Sequence, residues 1–243
     1  MKLTVALVTA FVTALCFSLS GAASAQQHRA PADEPVVVEL FTSQGCSSCP
    51  PADALLKKLA EREDVLALAL HVDYWDYIGW KDIFASPVHT NRQKGYAQVG
   101  GRRMIYTPQM IVMGYQDVSG GDAMALAEAI AAHQTTPRPV ALEVRRGDGQ
   151  ILVSLKPREV LPDQPVSIQI VRYTALKTVD IARGELAGHR LDYANVVDDL
   201  QHVKMWDGQQ AIEFTVDFDG ALPAAVLVQQ SPFGTVLAAR RIE

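Results

Sequence analysis

Two hydrophobic periods divide the chain. Residues 36–41 and 65–72 are short, β-branched apolar runs that predict strands, and between them residues 52–62 set Leu55, Leu56 and Leu59 at helical spacing. A polar, helix-compatible stretch covers 89–97, residues 107–114 read as another strand, and 122–133 form an Ala-rich helix. This order, βαβ followed by β and α, predicts a mixed sheet flanked by helices. After Thr135-Thr136-Pro137-Arg138-Pro139 the period becomes two. Val140/Leu142/Val144, Ile151/Val153/Leu155, Val166/Ile168/Ile170 and Ile212/Phe214/Val216 each place apolar side chains on one face, with Arg146-Gly147-Asp148-Gly149 as a hairpin turn. The expectation is an α/β domain over 31–135, followed by an all-β antiparallel, sandwich-like domain over 140–243.

The first residues set the compartment. Lys2 precedes an apolar run to about Leu19, then Ser20-Gly21 and the small-residue triplet Ala23-Ser24-Ala25, the order of a secretory signal peptide over 1–25. Cleavage after Ala25 removes Cys16 and leaves Cys46 and Cys49. No later apolar run is long enough to span a bilayer, so the expected product is periplasmic or secreted, with no membrane attachment after cleavage. The full chain carries 22 basic and 27 acidic residues. A mildly acidic balance without a basic patch gives no reason to expect nucleic acid.

Candidate chemistry centres on Gly45-Cys46-Ser47-Ser48-Cys49-Pro50-Pro51, where two cysteines sit at a helix start. One thiolate can attack a disulfide, and a second thiol two residues on can resolve the mixed disulfide. A helix N-terminus favours the thiolate; lowering a thiol from about 8.5 to about 7 raises its ionised fraction at neutral pH roughly tenfold. A structural disulfide is the alternative, yet closing a loop of about four residues restricts the unfolded chain by only about 2 kcal/mol. Metal binding is a third reading, since thiolates suit Cu(I) or zinc, but neither His71 nor His89 stands at a ligand spacing, and no metal ligand or cofactor is assigned. Proline disfavours helical geometry in the residue before it, so the helix is expected to start at Pro50 or Pro51, with Cys49 near its cap. The segment 74–107 is crowded with aromatics, of which Tyr74, Trp75 and Trp80 are candidates to line a substrate groove or to pack an insertion onto the core. Arg102-Arg103 reads as a solvated loop.

The order strand, Cys-x-x-Cys, helix, strand, then Thr107-Pro108 leading into a strand resembles the thioredoxin fold. That resemblance implies a cis-proline loop at Thr107-Pro108 facing the dithiol, Cys46 as nucleophile and Cys49 as resolving thiol. It also implies a buried acid for proton transfer, for which Glu39 and Asp73 are the candidates. Gly45 and Ser47-Ser48 depart from the tryptophan and the Gly-Pro pair usual in thioredoxins. The segments Glu39 to Asp53, His71 to Asp76, Gly79-Trp80 and Tyr106-Thr107-Pro108-Gln109 are more closely similar to a secreted bacterial family, domain of unknown function DUF1223. It implies a thioredoxin-like domain followed by an all-β part, and supplies no reaction. The expected function is therefore a thiol-disulfide oxidoreductase acting on protein or small-molecule thiols and disulfides. The competing class is a non-catalytic binding protein.

Overall fold

The computed structural model describes residues 34–243; the expected leader lies outside them. Val36–Thr42 forms β1, buried along its whole length, and the chain turns at 43–49 into helix α1, Pro50–Ala60. Strand β2, Val65–His71, returns parallel to β1, with Val36 opposite Val65 and Thr42 opposite His71. An insertion with one 3-10 turn at Asp76–Ile78 leads to helix α2, Pro87–Val99, whose first turn is capped by the Ser86 hydroxyl accepting from the Val88 N–H. The buried face of α2 is largely polar, including His89, Thr90, Arg92 and Gln93, which explains its weak hydrophobic pattern. Strands β3, Gln109–Val112, and β4, Gln116–Ser119, are antiparallel, and helix α3, Ala123–Gln134, follows.

The remaining chain is strands: β5 Val140–Gly147, β6 Gln150–Pro157, β7 Val166–Asp180, β8 Arg190–Trp206, β9 Ile212–Asp217, β10 Ala224–Gln230 and β11 Val236–Ile242. They do not make a sandwich of their own. Eight strands form one mixed sheet in the order β11-β10-β7-β8-β2-β1-β3-β4, and only β5-β6-β9 form a second, smaller sheet. The expected architecture, a thioredoxin-like α/β domain followed by a separate antiparallel sandwich, is thereby overturned: the molecule is predominantly β, with three α-helices among the described residues.

The physical reason lies in strands that are apolar on both faces, which need cover on both sides. In β10, Ala225 and Leu227 join the core built by β1, β2 and the helices, whereas Ala224, Val226 and Val228 join the core under the small sheet. Strand β8 extends the sheet from β2 through the Ala69–Val196 bridge, and the Asn195 amide donates to the Ala67 carbonyl at 2.9 Å. The Arg241 guanidinium of β11 donates to the Glu63 carbonyl at 2.7 Å, just before β2. The far end of the β7–β8 hairpin forms a third cluster, where Val179, Ile181, Leu186, Tyr193 and Val196 meet Trp80 and Phe84 of the insertion. Residues from the strand-rich half thus reach the region of the cysteines.

Candidate functional site

Cys46 and Cys49 are joined in a disulfide at the start of α1. The loop is closed by backbone bonds from Cys46 N–H to the Ser43 carbonyl and from Cys49 N–H to the Cys46 carbonyl, both 3.1 Å. Pro50 and Pro51 take the first helical positions, where a missing N–H costs nothing, and Cys49 is the N-cap as expected. Its backbone is nonetheless helical, at φ −79° and ψ −32°, against the preference imposed by Pro50. Its carbonyl accepts from the N–H groups of Ala52 and Asp53, which holds that geometry. Ser47 and Ser48 are exposed, but Cys46 and Cys49 retain only 1% and 0% of their accessible surface.

The Thr107-Pro108 bond is cis. Pro108 and Ala52 converge on Gly120, where a Cβ would stand 2.6 Å from the Pro108 Cβ and 3.0 Å from that of Ala52. Pro108 therefore lies against the first turn of α1, and only glycine fits between them. Trp75 bridges the same region: its Nε1–H donates to Thr107 Oγ1 at 2.7 Å, and its Cβ would be 3.1 Å from a Cβ on Gly45. It spans the residues that precede Cys46 and Pro108.

Of the other expected residues, Trp80 donates from Nε1 to Gln44 Oε1 at 2.8 Å and so braces the loop before Cys46. The Tyr74 hydroxyl donates to Gln93 Oε1 at 3.1 Å, and partial burial pushes it up to about 12. Asp73 accepts from the Thr90 hydroxyl at 2.6 Å, which fixes it to α2. Glu39 is fully buried and committed to Arg92, which donates from Nε at 2.6 Å and from Nη2 at 3.2 Å, and to the Tyr96 hydroxyl. Arg92 also donates to Gln169 of β7, so Glu39 anchors a network joining the two ends of the chain. The structure gathers Cys46, Cys49, Thr107, Pro108 and Trp75 in one place, while Glu39 and Asp73 are engaged by α2.

Sequence reasoning missed a buried polar cluster near the dithiol. Asp53, four residues after Cys49, accepts from Thr42 Oγ1 at 2.8 Å through Oδ1, and its Oδ2 is buried without a partner. His71 Nδ1 lies 2.6 Å from Asp82 Oδ2, and Asp82 also accepts from the Gln44 N–H at 2.8 Å. His71 Nε2, Gln44 Nε2 and the Tyr193 hydroxyl are further buried polar atoms without hydrogen-bond partners. Burial pushes the Asp53 carboxyl up to about 7; the charge of His71 and the Thr42 hydrogen bond oppose this, and the Asp82 charge adds to it. Burial, followed by the charges of Asp53 and Asp82, raises the Tyr193 phenol. The signal available in the sequence was the four-residue step from Cys49 to Asp53, which stacks side chains on one helix face.

Residues 37–229 match the family described as protein of unknown function (DUF1223). The chain belongs to this family. Protein AGR_C_4864 from Agrobacterium tumefaciens, known from its crystal structure, is 31% identical, with a TM-score of 0.71, over 85% of this chain and 93% of that one. HBP35 of Porphyromonas gingivalis is 17% identical, with a TM-score of 0.57, over 88% of this chain and 76% of its own, a likeness of fold alone. No curated protein matches.

Proposed function

We propose that this DUF1223 protein is an exported thiol-disulfide oxidoreductase, in which the Cys46–Cys49 pair exchanges with thiols or disulfides of proteins or small molecules. One observation carries the reading: a disulfide closed over two residues caps α1, with Pro108 packed against the same helical turn. A helix N-terminus stabilises the thiolate that leaves when such a bond opens. As a staple the bond would contribute only about 2 kcal/mol, because its loop is so short. The leader-like order of residues 1–25 supports export to an oxidising compartment, where the pair can cycle.

An incoming thiolate attacks Cys46, Cys49 leaves, and Thr107-Pro108 offers backbone to the substrate. Because both cysteines are buried, exchange requires the Trp75 bridge to open. The test is reduction of the oxidised mature protein by dithiothreitol and, separately, reaction of the reduced Cys49→Ser variant with glutathione disulfide, which traps a mixed disulfide at Cys46 and releases one glutathione thiolate. Wild type reacts, Cys46→Ser forms no mixed disulfide, and Thr107→Val, which removes the Trp75 hydrogen bond, reacts faster. A native disulfide inert in both wild type and Thr107→Val overturns the proposal and leaves a structural bridge. Recovery in the cytoplasm of the source cell, with the leader retained, would overturn export.

A further inference from the structure

Strand β7 changes character on one of its faces. Val166, Ile168 and Ile170 belong to the core under the small sheet and Val171 to the first core, but Ser167 and Gln169 are polar and buried. A buried amide needs partners, and these come from α2 and β10. Arg92, which can only donate, gives an N–H of Nη1 to Gln169 Oε1 at 3.1 Å. The Gln169 Nε2 therefore faces the other way and donates to Gln229 Oε1 at 3.1 Å and to Ser167 Oγ at 3.2 Å. Gln229 Nε2 in turn donates to the Tyr96 hydroxyl at 2.9 Å, and Tyr96 donates to Glu39. With its oxygen accepting from Gln169, Ser167 has its own proton for His202 Nδ1, 2.8 Å away on β8, which leaves Nε2 as the protonated nitrogen of that ring.

These groups open on a cleft of about 370 Å³ bounded by α2, β7, β8 and the turn after β10. Its size lies at the lower end of the range for small-molecule sites. Val88, Leu200, Pro232 and Phe233 supply apolar walls, and among the described residues no aspartate or glutamate lines it. Glu39, fully buried, stands behind Arg92 and takes two of its N–H groups, and Gln169 takes a third. A guanidinium has five, so two are left without an acceptor among the described residues, as is His202 Nε2. Phe233 stands at this cleft with φ at 134°, a conformation strained for any residue with a side chain. Its ring occupies the space that Gly95 of α2 leaves open, where a Cβ would stand 2.2 Å from the ring. Strain of this kind gathers where a wall of a ligand site has to be held in one place.

We propose that this cleft binds a small organic carboxylate, an aliphatic or aromatic acid whose carboxylate meets Arg92 and His202 and whose apolar body lies between Leu200 and Phe233. The inference is independent of the dithiol reading, because none of Cys46, Cys49, Trp75 and Pro108 is on the walls. The spare groups of Arg92 and His202 are donors, so the ligand has to bring acceptor oxygens. Hydrogen bonds with an ionised partner are roughly twice as strong as neutral ones, which favours a carboxylate over an amide or an ester. A ligand ammonium would meet no carboxylate on the walls and would face the Arg92 charge. The rest of the affinity comes from covering Val88, Leu200, Pro232 and Phe233, which the cleft otherwise leaves to water.

The experiment is calorimetric titration of the oxidised mature protein with hexanoate and benzoate, and with hexanamide and benzamide, which keep the shape and lose the charge. Both acids bind saturably, and the amides bind roughly tenfold or more weakly, the difference between a charged and a neutral hydrogen-bonded pair. Two variants at exposed wall positions locate the site without touching the Glu39 network. Asn91→Trp fills the cleft and abolishes binding, and His202→Leu removes a donor and weakens the acids roughly fivefold or more. Both variants keep the thermal midpoint of wild type, so the loss reports the cleft and not the fold. No saturable heat with either acid, amides that bind as tightly as the acids, or acid binding unchanged in Asn91→Trp overturns the assignment and leaves the dithiol chemistry untouched.

Discussion

Replacing Asp53 with asparagine keeps the shape of the side chain and removes a carboxyl that the fold resists ionising. In the folded protein this group holds its proton up to about pH 7, whereas in the unfolded chain it is released near 3.8. Between those values the folded state binds the extra proton, so stability falls as pH rises. The whole effect amounts to on the order of 4 kcal/mol, absent below the unfolded value and complete above pH 7. Asp53→Asn should therefore be more stable than wild type at about pH 8, by up to a few kcal/mol, with the gain vanishing towards about pH 4. Urea denaturation of both oxidised proteins at the two pH values reads this directly, and taking the difference between them cancels the titrations of groups remote from Asp53. An advantage that does not change with pH, or a wild type that is the more stable at pH 8, would refute the reasoning about desolvation.

Two further outcomes follow from the fold. Arg92→Met leaves the Glu39 carboxylate buried without its cation and should cost about 3–5 kcal/mol in chemical denaturation, while adding Glu39→Gln to it should recover part of that loss. A fragment of residues 34–135 leaves β2 without β8 and strips the β7 and β10 side chains from the first core. It should show no cooperative thermal unfolding by circular dichroism, and a sharp transition would mean that the α/β segment is independent after all.

The sequence by itself determined the local features near the cysteines. The β-branched run of β1, the leucine spacing of α1 and the two prolines after Cys49 each act within a few residues of one another. They therefore placed the dithiol at a helix start before any packing was known. The helical portion of α2 was legible, but its role was not, because its buried face is filled with polar groups whose partners lie on β1 and β7. Glu39 illustrates the difficulty: an acid in an apolar strand suits proton transfer or an ion pair equally well until Arg92, 53 positions on, is seen beside it.

Tertiary structure alone decided that the two halves share a sheet. A period of two reports that a strand has two faces and says nothing about what covers each, so Val166–Asp180 and Ala224–Gln230 were open to a separate sandwich or to the joint sheet they form. The same holds for Asp53. Its four-residue step from Cys49 is written in the chain, but its acidity comes from loss of water to residues from β1, β2, the insertion and β8, and desolvation is a property of the assembled volume.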